Sequence, residues 1–225
     1  MALKLRSLLK GPKLRSGVKS LVLAVSFSFL PLWAIGVLAF VFYAMPSTFM
    51  FEFLGSLIAL GMAVAVAEGA IPAVFLAAIA GIFFFVLLGI KGVFLPHRGI
   101  LHTAFSASIF LTMAYGFFVG TVALPVLSIS VFLLLRDRFA SFTVLSQRAA
   151  AAAAVISLVL SEIAWGVGWL GASHILSTVV VSLFGLSMLT VVHDHLSGDI
   201  SAKNSIFRGS AIAVLGIAGL IMAAF

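Results

Sequence analysis

Glu162 stands inside a long apolar run. At ~1.5 Å per helical residue it lies about 12 Å from the nearer end of that run. A carboxyl at such depth in hydrocarbon is costly, so it needs either a partner or a task. Trp165, Gly166 and Trp169 follow at i+3, i+4 and i+7 and share its helical face. That grouping suits a proton- or cation-linked transport site, with indole faces available to a cation. The structural alternative is a neutral Glu162 hydrogen-bonded to a neighbouring helix, with the tryptophans packing beside it. His174 follows a turn at Gly171 and enters the next helix by only ~3–4 Å, so a water-bridged contact with Glu162 is the most it offers. Ser161, Ser177 and Ser182 are nearer polar neighbours, although serine in a membrane helix commonly bonds its own backbone.

The histidines are the second candidates. His97 and His102 fall in the segment His97-Arg98-Gly99-Ile100-Leu101-His102-Thr103, and His193 and His195 flank Asp194. Imidazole with carboxylate is a ligand set for zinc or iron, and such a metal activates water for hydrolysis. A His-x-His pair points its rings to different faces of a helix, so His193 and His195 ligate together only from a loop. The alternative is loop histidines solvated near headgroups, and no cofactor is expected on that reading.

Two resemblances attach to these residues. The string from His97 to Thr103 is similar to the HRGxTHS-type motif of a family of membrane-bound metal-dependent hydrolases. Leu101 stands where that motif has Thr, and the family's other acidic motifs are absent. Glu162-Ile163-Ala164-Trp165 in one apolar segment, and His195-Leu196-Ser197-Gly198 after the next, resemble a family of uncharacterised bacterial multi-pass membrane proteins. Their shared features are an E-x-x-W helix and an H-L-x-G loop. That family has no assigned function, so the likeness implies architecture alone.

What must position these residues follows from composition. Of 225 residues, 13 are Lys or Arg, 6 are Asp or Glu, 64% are hydrophobic, and mean hydropathy is +1.33. A water-soluble domain of this size cannot keep that much apolar surface from water. The apolar runs are helical in length, near the ~20 residues that cross a bilayer core, and lack the alternation of barrel strands. The fold class expected is an all-α polytopic transmembrane helical bundle of about eight helices, with seven as the rival count. The chain has no cysteine, which excludes disulfides, thiolate metal sites and iron–sulfur clusters. No Gly-rich phosphate loop, nucleophile elbow, HExxH or paired intramembrane aspartates occur.

The expected helices cover residues 20–44, 49–67, 71–90, 101–119, 121–135, 148–169, 172–192 and 207–225, the fifth being short. Residues 1–19 form a basic cytoplasmic or interfacial segment, with a short amphipathic helix over 1–10 ending at Gly11-Pro12. Residues 20–225 form one transmembrane domain. The run at 20–44 is too long for a cleaved signal and reads as a retained anchor, kinked at Pro31. Gly55, Ala59, Ala63 and Ala67 recur every four residues, as do Ala73, Ala77 and Gly81, which suggests close packing of those two helices. Gly116 and Gly120 make a GxxxG in the fourth helix. Glu52 and Glu68 are expected at the interface, and Asp137 in a loop, neutralised by Arg136 and Arg138.

Charge and span count conflict. Lys4, Arg6, Lys10, Lys13, Arg15 and Lys19 place the amino terminus in the cytoplasm by the positive-inside rule. Eight spans put the remaining basic residues on the other face, while an even number of crossings before Lys91 puts all on one. The +7 charge therefore reads as attraction to anionic lipid headgroups and not to nucleic acid. The expected location is the membrane of a bacterial cell, multi-pass.

Three functions fit, in this order. The first is a non-catalytic assembly or scaffold subunit, partnered by its own copies or another membrane protein. The second is a small transporter or channel using Glu162, Trp165, Trp169 and His174. The third is a metal-dependent membrane enzyme using His97, His102, His193, Asp194 and His195.

Overall fold

The computed structural model describes residues 11–45, 53–92, 95, 98–140 and 146–197. Among these the chain is all-helical, with eight helices and no strand beyond an isolated bridge between Glu68 and Ile71. They are α1 (Pro12–Ser26), α2 (Leu32–Ala44), α3 (Leu54–Ala67), α4 (Ala73–Lys91), α5 (Arg98–Val119), α6 (Leu124–Ala140), α7 (Ser146–Gly168) and α8 (His174–Ser197). Three stretches are long and apolar enough to cross a membrane: Ala73–Lys91, Ile100–Val119 and Gln147–Gly168. Leu32–Ala44, Leu54–Ala67 and His174–Leu189 are apolar but shorter. The expected helix at 1–10, Glu52, His97, Gly198 and the final apolar segment 207–225 lie outside the described residues.

The count of eight is reached differently from the sequence expectation. Residues 20–44 are not one kinked helix. Proline fixes its own φ near −65° and starts a helix more readily than it continues one. Pro31, at φ −67°, is the N-cap of α2, and a turn over residues 27–30 separates α2 from α1. Pro72 is likewise the N-cap of α4, and Pro12 is the first residue of α1 after its N-cap Gly11. The short fifth helix is also longer than expected, because α6 continues through Arg136, Asp137 and Arg138. Those three residues are not a solvated loop: Asp137 and Arg138 are buried in the last turn.

The chain divides into two compact units, residues 1–105 and 106–225. In the first, α1 packs along α4, α3 also packs on α4, and α2 folds back beside α1. Gly81 permits the first contact. A Cβ there would lie 3.0 Å from the Ala24 Cβ and 3.3 Å from the Ser20 carbonyl oxygen. The small-residue stripe of α4 thus meets α1 at Gly81, where the sequence pattern assigned it to α3. Ala59 and Ala63 of α3 are buried as expected.

In the second unit α6 and α7 pack most extensively and α8 packs against α7. The inward stripe of α7 is Ala149, Ala153, Ile156, Leu160, Ala164 and Val167, all buried at helical spacing. The GxxxG of α5 has a different use from helix packing. Gly120 adopts φ +85°, a left-handed conformation open to glycine, and Thr121 and Val122 donate their N–H groups to the Gly116 carbonyl. The pair terminates α5.

Candidate functional site

Exposed residues Val155, Leu158, Glu162, Trp165 and Gly166 form a second stripe on α7 at intervals of three, four or one, and Trp169 follows in the turn after it. This is the side of the helix opposite the Ala149–Val167 core stripe, so Glu162 points away from the described helices that pack on α7. Its indole neighbours are open too: Trp165 is 57% and Trp169 77% exposed. Their rings meet edge to face with centroids 5.8 Å apart. A Cβ at Gly166 would meet nothing within 4 Å. Gly166 thus leaves open space one turn along from Glu162, on the stretch that carries the paired indoles.

His174 is the first residue of α8 and is exposed. Its carbonyl accepts a hydrogen bond from the Thr178 hydroxyl at 2.7 Å. The serines suggested as partners of Glu162 turn elsewhere. Ser161 is buried, donates to the Ser157 carbonyl at 2.7 Å and shares a contact with Ser128 of α6. Ser128 also reaches the Leu124 carbonyl. Two hydroxyl protons therefore serve three contacts. Ser182 donates to the Thr178 carbonyl, and Ser177 is buried.

The histidines divide. His102 is 2% exposed in the first unit, with its Nε2 3.4 Å from the Ser56 hydroxyl. Phe53 meets the imidazole edge-on at 5.3 Å and Phe105 stacks at 6.3 Å. Phe53 is also the N-cap of α3 at φ 57°, a left-handed backbone that a bulky side chain adopts only under strain. His102 thus sits in an aromatic box. His193, Asp194 and His195 lie in the last two turns of α8, where the loop expected around them is helix. The side chains of these three residues lie outside those the structure describes. Among the described residues no group of three or more His, Asp or Glu converges to hold a metal ion.

Lys19, expected among the basic residues that meet headgroups, and Lys91, expected in a loop, both bond helix-end carbonyls. The Lys19 ammonium, from α1, donates to the Phe42 carbonyl at 2.7 Å and to the Met45 carbonyl. The Lys91 ammonium, from the last turn of α4, donates to the Tyr43 carbonyl at 2.7 Å and lies 3.8 Å from the centre of the Tyr43 ring. These carbonyls end α2, where a helix carries partial negative charge. The visible signal was Lys19 at the very edge of an apolar run that Pro31 cuts into halves.

One apolar cavity of about 370 Å³ lies in the first unit, between α1, α2, α3 and α4. Phe27, Trp33, Ile35, Leu57 and Phe84 line it, and no titratable side chain does. Gly36 and Gly61 leave it open, since a Cβ at either would meet nothing within 4 Å.

No protein-family model, curated protein or solved structure matches this chain.

Proposed function

We propose that this chain is a multi-pass membrane protein, with its basic amino terminus in the cytoplasm, that acts as an assembly subunit without a catalytic centre of its own. The observation that carries this reading is the outward position of Glu162 on α7. In hydrocarbon an isolated carboxyl on a lipid-facing stripe costs several kcal/mol by most measures, about 2.5–3.5 on insertion scales for a comparable Asp. A partner helix that brings a hydrogen-bond donor or a cation removes that cost and turns it into a driving force for docking. Trp165 and Trp169 supply contact area beside it, and Gly166 lets a second backbone approach.

The transporter reading draws less support. A substrate site wants Glu162 turned toward a cavity between helices, whereas it lies on the stripe facing away from α6 and α8, and the cavity of the first unit contains no charged group. For the enzyme reading, the aromatic box around His102 is a poor setting for a metal and its water.

The test is site-specific photo-crosslinking from position 165 in native membranes. The expected result is an adduct heavier than one chain, lost in Glu162→Leu. A crosslink only within the chain, for example to residues 207–225, would assign the face to self-packing and overturn the assembly reading. Substrate-dependent currents or uptake abolished by Glu162→Gln would favour the transporter.

A further inference from the structure

The conflict between charge and span count has an answer in the contacts of two lysines. Lys19 belongs to α1 and Lys91 ends α4, yet their ammonium groups meet carbonyls of the same four residues, Phe42 to Met45. A lysine side chain reaches only ~6 Å, about four residues of helical rise. The end of α2 therefore lies near the end of α4, on the level where α1 begins, since α1 runs antiparallel to α4 with Gly17 beside Phe85 and Ser20 beside Gly81. α1 must run away from that level and α2 must return to it. The turn at residues 27–30 and the helix start at Pro31 are where the chain reverses.

Length agrees. α1 has 15 residues and α2 has 13. At ~1.5 Å per residue they extend about 22 and 20 Å, each short of the ~30 Å of a bilayer core. A single continuous helix over 20–44 would have crossed. Two short helices closed by a proline do not need to, and their open end is where the cations are.

We infer that residues 12–45 enter the membrane from one face as a hairpin and come back to that same face, so that the amino terminus, Met45 and Lys91 share it. The inference rests on the membrane reading and goes beyond it. Parity does not depend on how deep the tip reaches, because a re-entrant hairpin counts as no crossing and a full one as two. α3 and α4 leave and return in the same way, since Lys91 ends beside Tyr43. The number of crossings before Lys91 is even, as the positive-inside rule requires. Lys19 and Lys91 are positioning residues in this arrangement: their charges hold the closing end of α2 at the headgroup level, where carbonyls and ammonium groups can both reach water.

The natural absence of cysteine makes the experiment clean. Single-cysteine variants Lys13→Cys, Met45→Cys and Gly92→Cys are made in the full chain and labelled with an impermeant maleimide in intact and permeabilised cells. Equal accessibility of all three, from whichever face, supports the hairpin. Opposite accessibility of positions 13 and 45 shows that residues 20–44 cross once and overturns it. Opposite accessibility of 45 and 92 overturns it as well. Gly11→Cys replaces Lys13→Cys if the latter fails to accumulate. Extraction by alkaline carbonate is measured in parallel: release of the chain would defeat the membrane reading itself, a failure distinct from a wrong hairpin.

Discussion

In the first unit the described polar contacts that join separate helices include two lysines on helix-end carbonyls, whereas the described polar contacts of the second are mostly hydroxyl bonds within a helix. In residues 11–105 the notable polar contacts are two ammonium groups on helix-end carbonyls and an imidazole in an aromatic box. In residues 106–197 the buried polar groups are Ser and Thr, apart from Asp137 and Arg138 at the end of α6. The hydroxyls bond chiefly within their own helix: Ser130 to Val126, Ser161 to Ser157, Thr178 to His174 and Ser182 to Thr178. Such bonds span four residues and satisfy the hydroxyl without choosing a neighbour. The Lys19–Phe42 and Lys91–Tyr43 bonds span 23 and 48 residues and decide which helix end lies beside which. Two lysines tie helix ends together in the first unit, and the small-residue stripe of α7 carries the packing on α6 and α8 in the second.

The strongest way to break this contrast is to remove both cations. Lys19→Met with Lys91→Met leaves the carbonyls at the end of α2 without their donors. Hydrogen bonds to charged groups contribute ~1.5–3 kcal/mol each, so a loss of about 3 kcal/mol is expected for the pair after overlap. Unfolding in mixed micelles measures it, and Lys19→Arg with Lys91→Arg should recover part of it. No loss would mean that the ammonium groups merely rest on α2.

Two glycines sharpen the comparison next. Gly81→Ala forces a methyl against the Ala24 Cβ at 3.0 Å and the Ser20 carbonyl at 3.3 Å, neither of which can swing aside. Overpacking of this kind costs ~1–3 kcal/mol. Gly185→Ala meets the Phe110 ring edge at 2.9 Å, closer still, but that edge is the far end of a rotatable side chain. A smaller cost is expected, and equal melting shifts for the two would show that backbone contact is not what distinguishes them. Smaller again is Ser128→Ala with Ser161→Ala. Their contact joins α6 and α7, yet interhelical hydrogen bonds in membranes average only ~0.6 kcal/mol, and each hydroxyl already serves its own backbone.

This difference also explains what was legible in the chain. Among the described residues the helix starts after Gly69 followed closely from hydropathy, because apolar length and glycine or proline are local signals, while α6 and α8 run past the ends expected for them. The inward stripe of α7 is visible as alanine at helical spacing, and Glu162 falls opposite it. The hairpin was not legible by hydropathy: an average over residues 20–44 sees one long apolar run and passes over Pro31. Nor did the pattern reveal that Gly81 meets α1, since the small-residue repeat says a helix approaches closely but not which one. His193, Asp194 and His195 were read as a loop because charged residues follow the apolar run, whereas the helix continues to Ser197.

The smallest expected effect on stability tests the largest claim about function. Glu162 is exposed on α7, so Glu162→Leu is expected to disturb no buried packing among the described residues of its unit. Surface substitutions away from special features fall within about ±0.5 kcal/mol, and leucine is the better residue for a lipid-facing position. Unfolding in micelles should be unchanged or slightly improved. Association in the bilayer should fall, because a partner chosen by a carboxyl finds only hydrocarbon. Energy transfer between labelled copies, and between the labelled chain and co-purified membrane proteins, separates the two readouts. A variant that loses stability but keeps its partners would return Glu162 to a structural role. Unchanged stability with lost association is the signature of an assembly surface. It is also the converse of the lysine pair, whose removal is expected to cost stability while leaving the α7 face intact.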